Sequence, residues 1–411
     1  MSHLLTQFRR QARHLFLAAM VAGLSSAAFS QVVVEVIPST PSNISGAAER
    51  MISYRNQNHM WQTADGATHA LVNVGAQANG TSLRLFTSVD NGVSWVGGVE
   101  LPVTDNTSTS DGYLQNNNLF VTYSTTGGAI AFSQMRYDPS TTSWVLGATE
   151  MAFQSATLKA LNPTVARDAQ GRHWVAFTTQ DAANNANIKM VLRTSAAPGW
   201  VDTGFVFGPT DDLSMENPER GARVVTIAGG VGMVYTVRQN VFWAKRQNSW
   251  PVTQAWARSQ AYVDQGVDND PYGSHFSVTV DEQSNVHMAM VDGGQMLYLK
   301  LANGSQTWTR KVLTKPVRAA YVQILTSGGT LMLVGNDKSS VVVFQSTNGG
   351  ANWAKTHLLL HPPSDGINDY GNPRMELPGN NPASPVPVLQ QYRERVTQRT
   401  ISFRVPVATA P

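Results

Sequence analysis

SVDNGVSW at residues 88–95 returns near the end of the chain as STNGGANW at residues 346–353. Each copy places a serine, an acid or amide, a glycine and a tryptophan at the same spacing, which is typical of a tight turn that carries a buried aromatic ring. The apolar runs SLRLFTS and SVVVFQS precede the two copies, and their period-two alternation predicts strands. Similar strand-and-turn units so far apart predict a chain built from structural repeats.

Tryptophans that follow a small or short polar residue recur about every fifty residues. They are Trp95, Trp144, Trp200, Trp250, Trp308 and Trp353. Two alternating apolar runs precede each tryptophan and a strand follows it, so a unit with one further strand in front holds four strands. Such a unit is one blade of a β-propeller. No segment of helical period competes after residue 30, and we therefore expect an all-β propeller.

Seven blades are favoured, and six blades with a C-terminal extension are the alternative. The tail after residue 371 has three strand-like pieces but no tryptophan turn, so a seventh blade lacks one strand. VVVEVI at residues 32–37 can supply it and so remove the open edges of the array. The sequence predicts that residues 31–411 form a single propeller domain closed by an N-terminal strand.

Residues 1–30 are a basic leader followed by a short apolar run and AFS, which predicts a cleavable signal peptide and a secreted or periplasmic protein. Three arginines of this leader account for the excess of 30 basic over 27 acidic residues. The remaining chain is formally neutral, so a nucleic-acid partner is not implied. The apolar run of the leader is too short for a stable membrane anchor, so no membrane span is expected. Cysteine is absent, and we expect stability to come from a large core.

The turn at residues 88–95 fits the pattern S-x-D-x-G-x-x-W, and the chain thereby resembles the sialidase superfamily of propellers with Asp-box (BNR) repeats. The second copy has Asn348 in place of the acid. The resemblance implies a carbohydrate-active protein, most closely an exo-sialidase-like glycoside hydrolase. It also implies that Asp90 and Trp95 are structural residues of the outer rim.

The loops that lead into the inner strands of a propeller converge around its central channel. These loops here are rich in arginine, histidine, tyrosine and carboxylates in a chain that is only 14% charged. Arg220, Arg318 and Arg374 come from three such loops and can form a clamp for a carboxylate or sulfate on a sugar. His59 and Asn162 are candidates for further contacts with a glycan substrate.

Sialidases use an arginine triad, a tyrosine nucleophile activated by a glutamate, and an aspartate as acid/base. The resemblance thus implies Tyr321 as nucleophile beside Glu219, with Asp111 as proton donor. Tyr370 and Glu216 are alternatives for the first two roles.

Two other functions stay open. A polysaccharide lyase acting on uronic acids could use His275 as base, Tyr272 as acid and the arginines to neutralise the carboxylate. A lectin or adhesion propeller would bind glycans without catalysis. No cofactor is expected; a weak calcium site is conceivable in the acidic loop at residues 264–270. His69, His173 and His287 follow equivalent turns, so we predict that they belong to the framework.

Overall fold

A computed structural model describes residues 34–52, 56–183, 185–194, 199–207, 221–237, 240–263, 276–314, 321–337, 340–360 and 368–409. All regular secondary structure in these ranges is β-strand, and the strands form seven small sheets. The prediction of a seven-bladed β-propeller is therefore confirmed, and the six-bladed alternative is wrong. In this part of the chain no helix is long and apolar enough to cross a membrane.

The blades follow one another along the chain, and each runs from its inner to its outer strand. Blade 1 holds β3 (Met60–Gln62), β4 (Thr68–Asn73), β5 (Leu83–Ser88) and β6 (Val96–Glu100). Blade 2 holds β7 (Ser110–Gln115), β8 (Asn118–Ser124), β9 (Ile130–Asp138) and β10 (Ser143–Phe153). Blade 3 holds β11 (Lys159–Arg167), β12 (His173–Gln180), β13 (Ala186–Arg193) and β14 (Trp200–Phe207). Blade 4 holds β15 (Ala222–Ile227), β16 (Gly230–Val237), β17 (Asn240–Gln247) and β18 (Ala257–Tyr262).

The last three blades continue this order. Blade 5 holds β19 (Phe276–Val280), β20 (Val286–Asp292), β21 (Gln295–Leu301) and β22 (Trp308–Val312). Blade 6 holds β23 (Val322–Ser327), β24 (Thr330–Asp337), β25 (Ser340–Ser346) and β26 (Ala354–Leu360). Blade 7 holds β27 (Asn368–Glu376), β28 (Val386–Glu394) and β29 (Thr397–Val405). Two N-terminal strands, β1 (Glu35–Pro38) and β2 (Thr40–Gly46), join the sheets of blades 6 and 7.

The hydrophobic core lies between the faces of neighbouring blades. Leu71 and Leu85 of blade 1 and Leu119 and Tyr137 of blade 2 belong to one buried cluster. Clusters of the same kind join the other pairs of blades, since the middle strands bury side chains on both faces. This packing fixes the inner strands around a common axis.

The N-terminal segment closes the ring, but with different residues from those predicted. β2 pairs with β29 in antiparallel fashion and is the outer strand of blade 7. β1, which overlaps the predicted segment 32–37, instead pairs in parallel with β26 and gives blade 6 a fifth strand. The predicted closure by an N-terminal strand is thus confirmed, whereas its assignment to residues 32–37 is wrong.

The turn at residues 88–95 has the hydrogen bonds expected from its sequence. The N–H groups of Val93 and Ser94 donate to Asp90 Oδ1 at 3.0 and 2.9 Å. Gly92 has a φ of 85°, which suits glycine. Trp95 is buried and its Nε1 donates to the Gly92 carbonyl at 3.1 Å. The side chains of Asp90 and Trp95 are therefore committed to the turn.

Candidate functional site

Polar side chains in or next to the inner strands of five blades come together near the axis. Asp111, Arg223 and Gln323 are each the second residue of an inner strand, in blades 2, 4 and 6. His59 precedes the inner strand of blade 1, and Glu376 ends that of blade 7. All five are buried, so the axis is lined with polar groups whose partners decide what each can do.

Residues 56–59, which we call the axial segment, contact three other blades in succession. Asn56 Nδ2 donates to the carbonyl of Ala222 in blade 4 at 2.8 Å. Gln57 Nε2 donates to the carbonyl of Pro163 in blade 3 at 2.8 Å. The Asn58 N–H donates to Asp111 Oδ1 in blade 2 at 2.7 Å. The axial segment therefore lies within the central channel and ties its walls together.

Asp111 is fully buried, and both of its carboxylate oxygens are engaged. Oδ1 accepts from the Asn58 N–H and from Arg223 Nη1, and Oδ2 accepts from the Val165 N–H at 2.7 Å. A carboxylate that pairs with a buried guanidinium and accepts from two backbone N–H groups holds three neighbouring segments together. The contacts of Asp111 in the described structure are therefore structural, and its role as proton donor stays a prediction.

His59 and Glu376 form a buried pair close to the axis. The His59 N–H donates to Glu376 Oε1 at 2.9 Å, and His59 Nδ1 lies 3.0 Å from Glu376 Oε2. Gln323 Nε2 donates to the same Oε2 at 3.1 Å, which holds the carboxylate in place. His59 Nε2 is buried and has no hydrogen-bond partner among the described residues. Because a carboxylate only accepts, the hydrogen bond between His59 and Glu376 is donated by Nδ1.

Asn162 sits in an irregular part of the blade 3 inner strand. The register with β12 shifts between Leu161 and Thr164, and Asn162 has a φ of 52°. Its N–H donates to Thr109 Oγ1 at 3.2 Å, and its Oδ1 accepts from the same hydroxyl at 3.3 Å. These bonds link the loop ends of blades 2 and 3, and the 6% exposure of Asn162 leaves little of it for a glycan.

Tyr321 lies in the hydrophobic core and not on a free surface. Its side chain is fully buried in a cluster with Met332, Val334 and Met375. Its backbone N–H donates to Asn336 Oδ1 at 2.6 Å, which fixes the start of β23. A nucleophile must reach the anomeric carbon of a sugar, so the packing of Tyr321 does not fit the predicted role.

The predicted arginine clamp falls largely on residues whose structure is not described. Arg374 lies on β27 and is half-buried, next to the buried pair of Met375 and Glu376. The other predicted site residues outside the described ranges are Glu219, Arg220, Tyr272, His275 and Arg318. Glu216 and the acidic loop at 264–270 are outside them too, as is the Tyr370 side chain. The clamp therefore stays a prediction, and so do the roles of Tyr272 and His275.

Glu376 and Gln323 were not singled out by the sequence, although a signal for Gln323 existed. It holds the same place in its strand, VQILTS, as Asp111 in SDGYLQ and Arg223 in ARVVTI. Aligning the inner strands would have shown one polar residue at this place in three blades. Glu376 follows a register shift in β27 between Asp369 and Arg374. Its place in the strand therefore cannot be aligned with that of Gln323, Asp111 or Arg223 from the sequence.

His69, His173 and His287 belong to the framework. His69 Nδ1 accepts from Trp144 Nε1 at 3.0 Å, joining blades 1 and 2. His173 Nδ1 lies 3.0 Å from the hydroxyl of Tyr113 in blade 2. Burial lowers the pKa of His69 and the pKa of His173 from 6.5 to about 4, and it also lowers the pKa of His287. These neutral rings are structural and link neighbouring strands by hydrogen bonds.

Within the described ranges, no three histidine or acidic side chains are close enough together to hold a metal ion. At the axis, His59 and Glu376 supply one nitrogen and an already engaged carboxylate. The chemistry that this part of the site offers is therefore that of an oriented imidazole at the axis.

No protein-family model and no curated protein matches the chain. An ulvan lyase, a polysaccharide lyase bound to -[GlcA(1-4)Rha3S]-, has a TM-score of 0.56 at 11% identity over 90% of this chain and 97% of its own. The Trypanosoma rangeli sialidase has a TM-score of 0.48 at 10% identity over 72% and 54% of the two chains. The Aleuria aurantia lectin has a TM-score of 0.47 at 12% identity over 77% and 99%. The likeness to the lyase shows a shared propeller fold, and the neighbours as a group are carbohydrate-related propellers.

Proposed function

We propose that this protein is an exported enzyme that cleaves acidic polysaccharide at the axial face of the propeller, by elimination rather than hydrolysis. The observation that carries the proposal is the pair of His59 and Glu376: the carboxylate holds Nδ1, and Nε2 has no partner in the described structure. A carboxylate that holds one ring nitrogen orients the imidazole so that the other nitrogen can accept a proton.

His59 Nε2 is buried in the free protein, so the proposed reaction requires the substrate to displace the groups that cover it. His59 Nε2 then takes the proton from C5 of a uronic acid. The electrons of that C–H bond form the C4=C5 double bond, and the bond between C4 and the bridging oxygen breaks. Tyr272 gives its proton to the leaving oxygen, and His275 is the alternative donor. Arg374, with Arg220 and Arg318, neutralises the uronate carboxylate so that the C5 proton becomes more acidic.

Sialidase-type hydrolysis is the function that the family resemblance implies, and the described residues support it less well. It requires a tyrosine that reaches the sugar and an acid that protonates the leaving group. Tyr321 is packed in the core, and Asp111 is occupied by Arg223 and two backbone N–H groups. Hydrolysis would have to use Tyr370 and an acid from the remaining loops.

A glycan-binding propeller without catalysis is the third candidate. Repeated sites would need similar residues in each blade, whereas the second residue of the inner strand is Asp111, Arg223 or Gln323 in three of them. Different side chains at equivalent positions favour one asymmetric site. The ulvan lyase neighbour binds a glucuronate-containing chain with a sulfated rhamnose, so substrates of that class are the first to test.

The test is to incubate residues 31–411 with uronic-acid polysaccharides, sulfated and unsulfated, and with sialosides. Reducing ends and the ultraviolet absorbance of the unsaturated product are followed together. Both signals from a uronic-acid polysaccharide support elimination. Reducing ends without absorbance indicate a hydrolase, and binding without either signal indicates a lectin; each of these results would refute the proposal.

A further inference from the structure

A groove between blades 2 and 3 lies outside the axial site. It has a volume of about 250 Å³. Its walls are formed by β9 and β10 of blade 2 and by the end of β13 in blade 3. The side chains that matter for its chemistry are Phe132, Arg136, Val145, Glu150 and Arg193.

An irregularity of β10 shapes this groove. Leu146 pairs with Met135, but the next pair is Thr149 with Ser133, so β10 has one residue more than β9 in this interval. Gly147 and Ala148 lie in the interval and line the groove. An extra residue of this kind bends a strand away from its partner and redirects its side chains.

The groove carries an excess of positive charge. Arg193 Nη2 donates to Glu150 Oε1 at 2.6 Å, and Trp200 Nε1 donates to Glu150 Oε2 at 3.1 Å. Both oxygens of the only carboxylate in the lining are thus engaged, whereas Arg193 Nε is buried with no partner among the described residues. Arg136 is exposed, and its guanidinium makes no hydrogen bond or ion pair in that part of the structure. Two guanidinium groups against one carboxylate leave a net charge of about +1.

Asp138 is a carboxylate on the same strand as Arg136, but it does not line the groove. It accepts from the N–H of Ser140 at 3.0 Å and from the Ser140 hydroxyl at 2.7 Å. These hydrogen bonds lower the pKa of Asp138, and the positive charge of Arg136 lowers it further. Arg136 therefore keeps its donors for a ligand.

We propose that this groove is a second glycan-binding site, which takes one acidic sugar unit through its sulfate or carboxylate group. Guanidinium groups bind such oxyanions with paired, charge-assisted hydrogen bonds, and Arg136 and Arg193 supply the donors. Val145, which is 64% exposed, offers apolar surface to the C–H face of the ring. The volume lies below the roughly 300 Å³ at which drug-sized ligands begin to fit, so a single ring suits it.

The site is independent of the axial chemistry, because its residues touch none of His59, Glu376 or Asp111. An enzyme that cleaves a polymer at the axis would use it to hold another part of the same chain, which raises the effective concentration of substrate. If the groove does not bind acidic sugars, the proposed elimination reaction is unaffected. If the elimination reaction does not occur, the groove can still bind acidic sugars.

The test measures the affinity of residues 31–411 for glucuronic acid, galactose 6-sulfate and glucose by calorimetry or NMR titration. Arg136→Gln is the main variant, because an exposed arginine can be replaced without disturbing the fold. Arg404→Gln is its control, since Arg404 is also exposed but lies on a strand of blade 7. Thermal unfolding confirms that both variants are folded.

We expect at least one acidic sugar to bind, glucose not to bind, and Arg136→Gln to weaken the binding roughly tenfold while Arg404→Gln leaves it unchanged. Preference for galactose 6-sulfate would identify sulfate as the ligand group, and preference for glucuronic acid would identify carboxylate. Binding of glucose with equal affinity, absence of any binding, or an affinity that Arg136→Gln does not change would overturn the proposal. Arg193→Gln gives a second check, because it removes the buried Nε.

Discussion

Arg223 of blade 4 donates to Asp111 of blade 2 past the inner strand of blade 3. The intervening strand takes part as well, because its Val165 N–H donates to the other oxygen of the same carboxylate. The side chains of Arg223 and Asp111 are 7% and 0% exposed. Three consecutive blades are thus joined through one buried carboxylate.

Asp111→Asn tests this structural role. The variant leaves the charge of Arg223 buried and unpaired, so we expect the free energy of unfolding to fall by roughly 3–5 kcal/mol. Asp202→Asn is the matched control: its pair with Lys189 is partly exposed, and we expect a loss of at most about 1 kcal/mol. Urea unfolding measures both. Similar losses for the two variants would contradict the account of Asp111.

Stability should fall between about pH 6.5 and pH 4. The pKa of His69 and that of His173 are lowered from 6.5 to about 4 by burial, so the unfolded chain binds more protons than the folded one in this interval. The stability that each neutral ring contributes is present above pH 6.5 and is lost as the pH falls, by roughly 3 kcal/mol per histidine at pH 4.

Urea unfolding of the wild type and of His173→Gln across this range measures the effect. Gln cannot take up the proton, so the stability of the variant should depend less steeply on pH. Equal slopes for the two proteins would show that His173 is not a buried neutral ring.

Truncation distinguishes the two N-terminal strands. A chain that starts at residue 39 lacks β1 and should stay folded, with a midpoint of thermal unfolding lower by a few degrees. A chain that starts at residue 47 also lacks β2 and with it Ile44, which is fully buried. We expect that chain to aggregate or to lose cooperative unfolding, because blade 7 is left with an open edge. Equal behaviour of the two chains would contradict closure by β2.

Tyr321→Phe tests whether Tyr321 acts as a core residue or as a nucleophile. Removing one hydroxyl from a packed ring should change the free energy of unfolding by about 1 kcal/mol or less and should leave kcat within about twofold. Activity on the best polysaccharide and thermal unfolding are measured together. A folded variant that has lost its activity would restore Tyr321 to the catalytic site.

The blades could be predicted because their signals are local: a tryptophan turn and alternating runs lie within each unit of about fifty residues. The closing strand was assigned to the wrong residues because β2, TPSNISG, is mostly polar and buries only Ile44, whereas the preceding VVVEVI has the apolar pattern of a strand. An outer strand that pairs through its backbone needs few apolar side chains, so composition alone does not reveal it.

The positions of two predicted site residues could be anticipated from the sequence, but their contacts could not. His59 and Asp111 do lie at the axis, as the loop argument predicts. Their roles depend on partners far away in sequence, since Glu376 is 317 residues from His59 and Arg223 is 112 residues from Asp111. No local sequence pattern indicates such long-range pairings. The pairing of Asp111 with Arg223 could therefore not be predicted from the sequence.

The most direct test of the central claim compares His59→Gln with Glu376→Gln on a uronic-acid polysaccharide that the wild type cleaves. If His59 is the base, its variant should lose at least about a hundredfold in kcat while staying folded. Glu376→Gln should keep a measurable but reduced rate, because the amide oxygen can still accept from His59 Nδ1 while the negative charge beside the ring is lost. Release of unsaturated product at the wild-type rate by His59→Gln would contradict the claim.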